Sequence, residues 1–500
     1  MADNLAAPLT PPWWIDRLYK QLIARRGAVD FFNSYYIGDH PLPWLAPQAR
    51  DEFKRIINMA RSNYMGLVCD AVAERVGVEG FRFGKDGKAD TDTWRIFQAN
   101  NLDRDTDLAW LESLIAGVSY FMVAPNPIDT TLPHIYVEHA SECIVEHVPG
   151  TNRRKRAAGF KMWDDEWTGM LHSVLYLPTL NPTGEDGPLQ VFKYQAEKPR
   201  EGSNDKTPEW QNRTEGTETW GDTVAELTVV PLIEVPNNPR LRTGGVSELF
   251  DLTDIQDRVN KTLADRLVTQ DYGSFPLKWA SAWPDTDEDG NPNTIDVGRN
   301  RMVTTEVVET KFGQFDAAEL DPYSSSKRED VKDIASRSRT PAQYLLGELA
   351  NVNGETLKAS ESGLVSKVRQ RRRPWGEALE ETMRLARQLA GLATTGDKGE
   401  STEHMMETIW TNPEYRTEGE LVDSVVKKYQ SGIASLRQAR EDVGYSATQI
   451  DRLEVEDAKA ASAAMDPIIA RALRPDGQEA PAPAVPASNG LTSDNAATTG

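Results

Sequence analysis

The residues that could do chemistry are few, and they are best judged by spacing. Asp285, Asp287 and Asp289, with Glu288 between them and Gly290 after, resemble the first half of a calcium loop. An EF-hand needs a glutamate at about its twelfth position and a helix on each side. Counted from Asp285 that position is Asp296, and Pro284 and Pro292 interrupt the flanks. A metal-dependent nuclease would need the same acids fixed on rigid elements around a pocket, so the stretch reads as an acidic hairpin. Gly84-Lys85-Asp86-Gly87-Lys88 lacks the spacing and the Lys-Ser/Thr ending of a phosphate-binding loop. His40 has no second ligand at metal spacing, and His134, His139 and His147 fall irregularly on several faces. Cys69 and Cys143 sit in apolar surroundings and read as buried free thiols. Arg369, Arg371, Arg372 and Arg373 form a basic run on a helical pattern, where Arg369, Arg372 and Arg373 share a face and Arg371 points away. That face could bridge to acids of adjacent subunits or touch DNA. No catalytic residue, metal site or cofactor emerges, and an enzyme is not expected.

The elements that must position these residues follow from composition and periodicity. The 500 residues exceed one ordinary core, and 39% apolar content with 13 Trp can fill two or more packed regions. No apolar run approaches the about 18 residues of a membrane span, and MADNLAAPLTPPWW lacks the features of a signal peptide. This points to a protein made and used in a cytoplasm. The net charge of -21 argues against gripping nucleic acid over much of the surface, though not against a wall that DNA slides past.

The longest helical pattern free of internal Gly and Pro is 246–271. Leu252, Ile255, Val259, Leu263 and Leu267 recur at steps of three and four, with Ser247 as the expected N-cap. About 25 residues at 1.5 Å each predict a rod near 40 Å long, whose narrow apolar stripe needs a partner helix. Before it, 13–37 begins as a helix and passes into an aromatic cluster. A helix is expected over 48–76, two more over 91–117 with a break at Asn100 and Asn101, then strands YFMVA, HIYVEHA, SVLYLP, LQVFKYQ and LTVVPLIEV. The basic loop Arg153-Arg154-Lys155-Arg156 reads as an exposed turn, a partner for an acidic neighbour in an oligomer, or a DNA contact. After the rod, PLKWASAW and MVTTEVVETKF read as two strands and 324–338 as a serine-capped helix running back antiparallel to the rod, with Arg337 and Arg339 near its end. A long helix over about 355–393 should kink at Pro374. A strand-like segment ends in Trp410, three helices follow from Glu418, and 473–500 has the composition of a disordered tail.

Asn237-Asn238-Pro239-Arg240, Gly244, Ser247-Glu248-Leu249, Asp254-Ile255-Gln256-Asp257 and Asn260-Lys261 resemble the entrance to the stem of a tailed-phage portal protein of the Gp6-like family. Tyr35-Tyr36-Ile37-Gly38-Asp39-His40, Gly117-Val118-Ser119-Tyr120, Gly432-Ile433, Arg440-Glu441 and Gly444-Tyr445-Ser446 follow the family order, from about residue 10 to about residue 465. The resemblance implies an α+β subunit. Its parts would be a mixed wing (1–245), a first stem helix (246–272), a small α/β clip (273–321), a second stem helix (322–340), a tunnel loop (341–356), a long kinked helix with a wing return (357–416), a helical crown (417–472) and the tail. It implies Leu252, Ile255, Val259, Leu263 and Leu267 as stem packing, and Asp285, Asp287, Asp289 and Arg299 as clip docking residues. Glu348, Asn351, Asn353 and Lys358 would face the channel, and Arg369, Arg372 and Arg373 would be inter-subunit or DNA contacts.

The implied function is a ring of twelve copies at one capsid vertex. Double-stranded DNA would be packaged and later ejected through it without sequence preference. The partners would be the major capsid protein, a scaffolding protein, the terminase large subunit and a head–tail adaptor, with no membrane, and assembly would take place in the host cytoplasm. A non-channel minor capsid or head-joining protein is the other reading, distinguished by its lack of need for strands inserted between the two stem helices.

Overall fold

The computed structural model describes residues 7–41, 43, 58–83, 90–151, 153–180, 186–198, 207–214, 220–224, 227–241, 244–273, 278–281, 309–314, 319–347, 354–392, 406–414, 418–445 and 447–472. Two compact units divide at Arg416.

In the first unit, α1 (Pro11–Ile37) is one continuous helix with Pro11 at its start, ended by Gly38 in the left-handed region. The aromatic cluster at its end is therefore helical. The helix expected over 48–76 is corrected in its described part: residues 58–59 are helical, 61–64 interrupt the pattern, α2 covers Met65–Ala73, and residues 48–57 lie outside the described residues. Asn63 turns the chain there, its Oδ1 accepting from the backbone N–H of Met65 and Gly66. After β1 (Val78–Phe83) come α3 (Thr91–Ala99), capped by Asp90, and α4 (Leu102–Ala116). The break at Asn100 and Asn101 stands where expected, with Asn101 at φ 55°.

The strands are β2 (Val118–Ala124), β3 (His134–Glu138), β4 (Cys143–His147), β5 (Arg156–Asp164), β6 (Met170–Leu180), β7 (Asp186–Glu197), β8 (Gln211–Asn212), β9 (Gly221–Val224) and β10 (Leu232–Pro236). One antiparallel sheet runs β4-β5-β6-β7-β8 with β9 also on β7, and a second runs β10-β2-β3. The first half of α1 covers the larger sheet through Trp14, Ile15, Leu18 and Leu22 against Phe160, Leu175 and Phe192. Strands β4 and β5 were not foreseen, and the stretch 227–231 precedes β10 rather than belonging to it.

Then come α5 (Thr253–Gly273), β11 (Lys278–Ser281), β12 (Lys311–Gln314), α6 (Asp321–Ser338), α7 (Ala342–Leu346), α8 (Gly354–Leu389) and β13 (Met406–Trp410). Strands β11 and β12 pair antiparallel, as do β1 and β13 across the length of the unit. Helix α6 begins at Asp321-Pro322 rather than at a serine cap, and Arg339 lies just past its end at φ 55°. Pro374 lies inside α8, which runs as one helix through it. The second unit holds α9 (Glu418–Gln430), α10 (Leu436–Val443) and α11 (Ala447–Ala472), with Ser435 capping α10 through the N–H of Gln438. Among the described residues Val425, Ala439 and Ile450 are its buried apolar residues.

Candidate functional site: a helical pair on a wired base

The rod is shorter than its pattern. Residues 248–252 form turns, with Phe250 N–H donating to Ser247 O and Leu252 N–H to Leu249 O, and the helix proper starts at Thr253. Its 21 residues make about 31 Å at the standard rise. The cause is tertiary. Glu248 N–H donates to Leu114 O, and Val246 N–H donates to Asn237 O, so the entrance is tied to α4 and to the end of β10 before a helix can form. Ser247 is no helix cap; its Oγ accepts from the N–H of Leu249. The tie is close: a Cβ on Gly245 would sit 1.9 Å from Gly117 O, and Gly117 itself stands at φ 87°.

Along α5 the burial fades. Leu252, Ile255 and Val259 are buried in the main core, Leu263 packs at its margin, and Leu267 is half-buried. Between the apolar residues Gln256 and Asn260 are also buried, and they hold the 62–64 segment as a sheet would. Gln256 accepts from Tyr64 N–H and donates to Ser62 O at 2.5 Å, while Asn260 Oδ1 accepts from Ser62 N–H at 3.0 Å. That fixes the Asn260 amide nitrogen as the donor to His40 Nε2, so the neutral ring carries its proton on Nδ1. Burial lowers the His40 pKa below its ordinary value, and the ring stacks on Tyr35 at 5.3 Å. Tyr35 in turn donates to both oxygens of Asp257 at 2.9 and 3.0 Å, and burial followed by that bond raises its pKa. His40 is thus a structural member of a clasp.

Helices α5 and α6 run antiparallel: Arg258 meets Asp330 and Asp333 at 3.1 and 3.0 Å near one end, and Thr269 donates to Tyr323 near the other. Strands β11 and β12 lie at that second end, between the helices in the chain. Helix α8 crosses the base. Lys367 and Arg371 both reach the one Glu248 carboxylate, at 3.3 and 2.9 Å, and Lys367 also donates to Ser338 O at the end of α6. Arg371 donates to Asn238 as well. Burial alone would raise the Glu248 carboxyl, but the two cations outweigh it and bring it below its usual range. One turn face away, Arg372 donates to the carbonyls of Thr411 and Arg75 and lies over Trp410 at 5.5 Å; burial lowers its pKa to about 10. Trp375 stacks on Trp110 at 5.1 Å.

The basic run is therefore divided by its surroundings. Arg371 and Arg372 are spent inside the chain, Arg369 pairs with Glu414 at 2.6 Å on the surface, and Arg373 is exposed. The basic loop is divided likewise: Arg153 pairs with Glu234, and Arg156, in β5, with Glu381. Lys358 is exposed, whereas Glu348, Asn351, Asn353, Asp285, Asp287, Asp289 and Arg299 lie outside the described residues. So do the Gly84–Lys88 stretch and the tail. Both cysteines are buried and free. Among the described residues no group of His, Cys, Asp or Glu could hold a metal ion, and no helix is long and apolar enough to cross a membrane.

Residues 188–463, more than half of the chain, match the family model described as phage portal protein, SPP1 Gp6-like. The chain belongs to this portal family. This portal chain is 28% identical over 484 residues to the portal protein of Mycobacterium phage L5, covering 92% of each, and 28% identical over 419 residues to that of Mycobacterium phage D29, covering 81% and 80%. Among solved structures, the neck of a native GTA particle computed with C12 symmetry matches at a TM-score of 0.37 and 10% identity, over 80% of this chain and 95% of that one. The portal chain is a structural component of the phage virion, with a mixed α/β architecture. Its matched region takes in the helical pair, the α8 crossing, the first two helices of the second unit and the third as far as residue 463.

Proposed function

We propose that the portal chain is the subunit of a ring that forms the DNA channel at a unique capsid vertex, through which double-stranded DNA enters and later leaves. Helices α5 and α6 are the stem, and β11 with β12 the root of the clip. The segment around 341–356 holds the tunnel loop, α8 is the long helix above it, and α9–α11 form the crown. The clip is the docking platform for the terminase and afterwards for head–tail connector proteins, and ATP is hydrolysed by the terminase rather than by this chain. The observation that carries the reading is the antiparallel pair with a two-stranded root between its helices, mounted on a buried polar base. The outer half of α5 keeps apolar Leu263 and Leu267 only partly covered, as a helix with further neighbours in a ring would.

Native mass spectrometry of the purified chain with electron microscopy of the same sample tests this. The expected particle has a mass near twelve subunits and a central hole of about 20 Å or more, wide enough for a whole DNA duplex rather than one groove of it to pass. A stable dimer, or a closed particle without a hole, would instead indicate a non-channel head-joining protein.

A further inference from the structure

Two clefts of opposite charge flank α8. The first, of about 230 Å³, has the Lys367–Arg371–Glu248 cluster as its floor and Arg240, Arg337 and Arg339 on its rim. Two buried cations share one carboxylate there, and the three rim guanidiniums have no carboxylate partner among the described residues. Asp251 is the other acid lining the cleft, so the wall carries a surplus of positive charge in a chain whose net charge is -21. The negative end of α6 offsets about half a charge of it.

The second cleft is larger and more open, at about 610 Å³, and is lined by Glu74, Asp103, Asp107 and Glu414 against a single cation, Arg75. Arg75 is itself turned to Tyr344 and Glu361. Asp103 and Asp107 stand one helical turn apart as like charges, and partial burial followed by Asp103 raises the Asp107 pKa. Arg371 lines the first cleft, and Arg369 binds Glu414 of the second. Two residues along a helix turn about 200°, so the clefts look out on opposite flanks of α8.

We infer that these are the two halves of one contact between copies of this chain: the projecting arginines Arg240, Arg337 and Arg339 of one copy enter the Glu74–Asp103–Asp107 cleft of the next. A ring closes through heterologous contacts, in which each subunit shows one surface to the neighbour on its left and a different one to the neighbour on its right. Complementary charge on opposite flanks of one helix meets that condition, and it rejects the like-facing dimer, which would bring arginines to arginines. The inference rests on the ring reading and names the surfaces that close it.

The test uses the full chain with Arg337→Glu/Arg339→Glu, with Asp103→Lys/Asp107→Lys, and with the two purified variants mixed, read by native mass spectrometry and imaging. Denaturation midpoints of the separate variants show that each is folded. Each variant alone is expected to lose ring at least about tenfold at equal concentration, because like charges then face each other. The mixture is expected to recover rings in which the two variants alternate, hence with an even subunit number. Rings of wild-type stability in both variants would overturn the inference and leave the ring reading standing. So would intact rings that retain duplex DNA less well in the arginine variant, which would make the cationic cleft a phosphate contact. A wild-type chain that forms no ring under any assembly condition would overturn the ring reading and this inference together.

Discussion

The two halves of α5 are built on different terms. From Leu252 to Asn260 every inward side chain, apolar or polar, has a partner in its own chain; from Leu263 onward the same stripe is only partly covered. The near half is a foundation, closed by Gln256, Asn260 and His40 within one subunit. The far half leaves Leu263 and Leu267 partly exposed in the single chain. The comparison teaches that one helix can be fully anchored over half its length and left partly open over the rest, and on the proposed ring reading the open part is what a neighbouring copy would cover.

The sharpest way to break the comparison is at the foundation's buried charge. Glu248→Gln leaves Lys367 and Arg371 without their carboxylate, and about 3–5 kcal/mol of stability should be lost, seen as a lower urea midpoint of the first unit. Next, Val259→Ala in the near half should cost about 2 kcal/mol or more, since it removes fully buried methyl groups. Leu267→Ala in the far half should change the separate chain by less than about 1 kcal/mol while weakening rings, and the contrast between those two measurements tests the division directly. A smaller effect comes from pH. Burial depresses His40 in the folded state, so its contribution is complete above the unfolded value near 6.5 and is lost as pH falls from there through the lowered folded value. Between about pH 6.5 and 5 the wild type should therefore lose more stability than His40→Gln. Arg258→Ala should matter least. Its guanidinium is more than half exposed beside Asp330 and Asp333, and the exposed pair should be worth under about 1 kcal/mol in thermal unfolding.

Much of this organisation was legible in the residues. The break at Asn100 and Asn101, the long helix through Pro374 and the helix–strands–helix order from Thr253 to Ser338 follow from local signals that tertiary packing does not oppose. Strands β4 and β5 were hidden because CIVEH is short and RAAGFKMWD opens inside a basic run that reads as a loop. The helix start at Thr253 was invisible for a different reason: Ser247 is a sound cap locally, and what displaces it is Leu114, 133 residues away in the chain. The division of the arginines likewise depends on acceptors at Glu248 and Thr411 that no spacing rule brings near. The clasp had a usable signal. Gln256 and Asn260 fall on the same helical face as Leu252, Ile255, Val259 and Leu263, and amides among leucines at that spacing announce buried hydrogen bonds.

The pairing of Lys278–Ser281 with Lys311–Gln314 has an evolutionary consequence. The chain leaves and re-enters the helical pair at adjacent points, so the sequence between these two strands is a cassette whose ends are held together. The entropic cost of closing a longer segment rises only about 0.6 kcal/mol per doubling of its length, so such a cassette can be lengthened, shortened or exchanged with little strain on the helices that carry it. A phage lineage could then change this segment and keep the machinery that holds the rod, inheriting the two as separate modules.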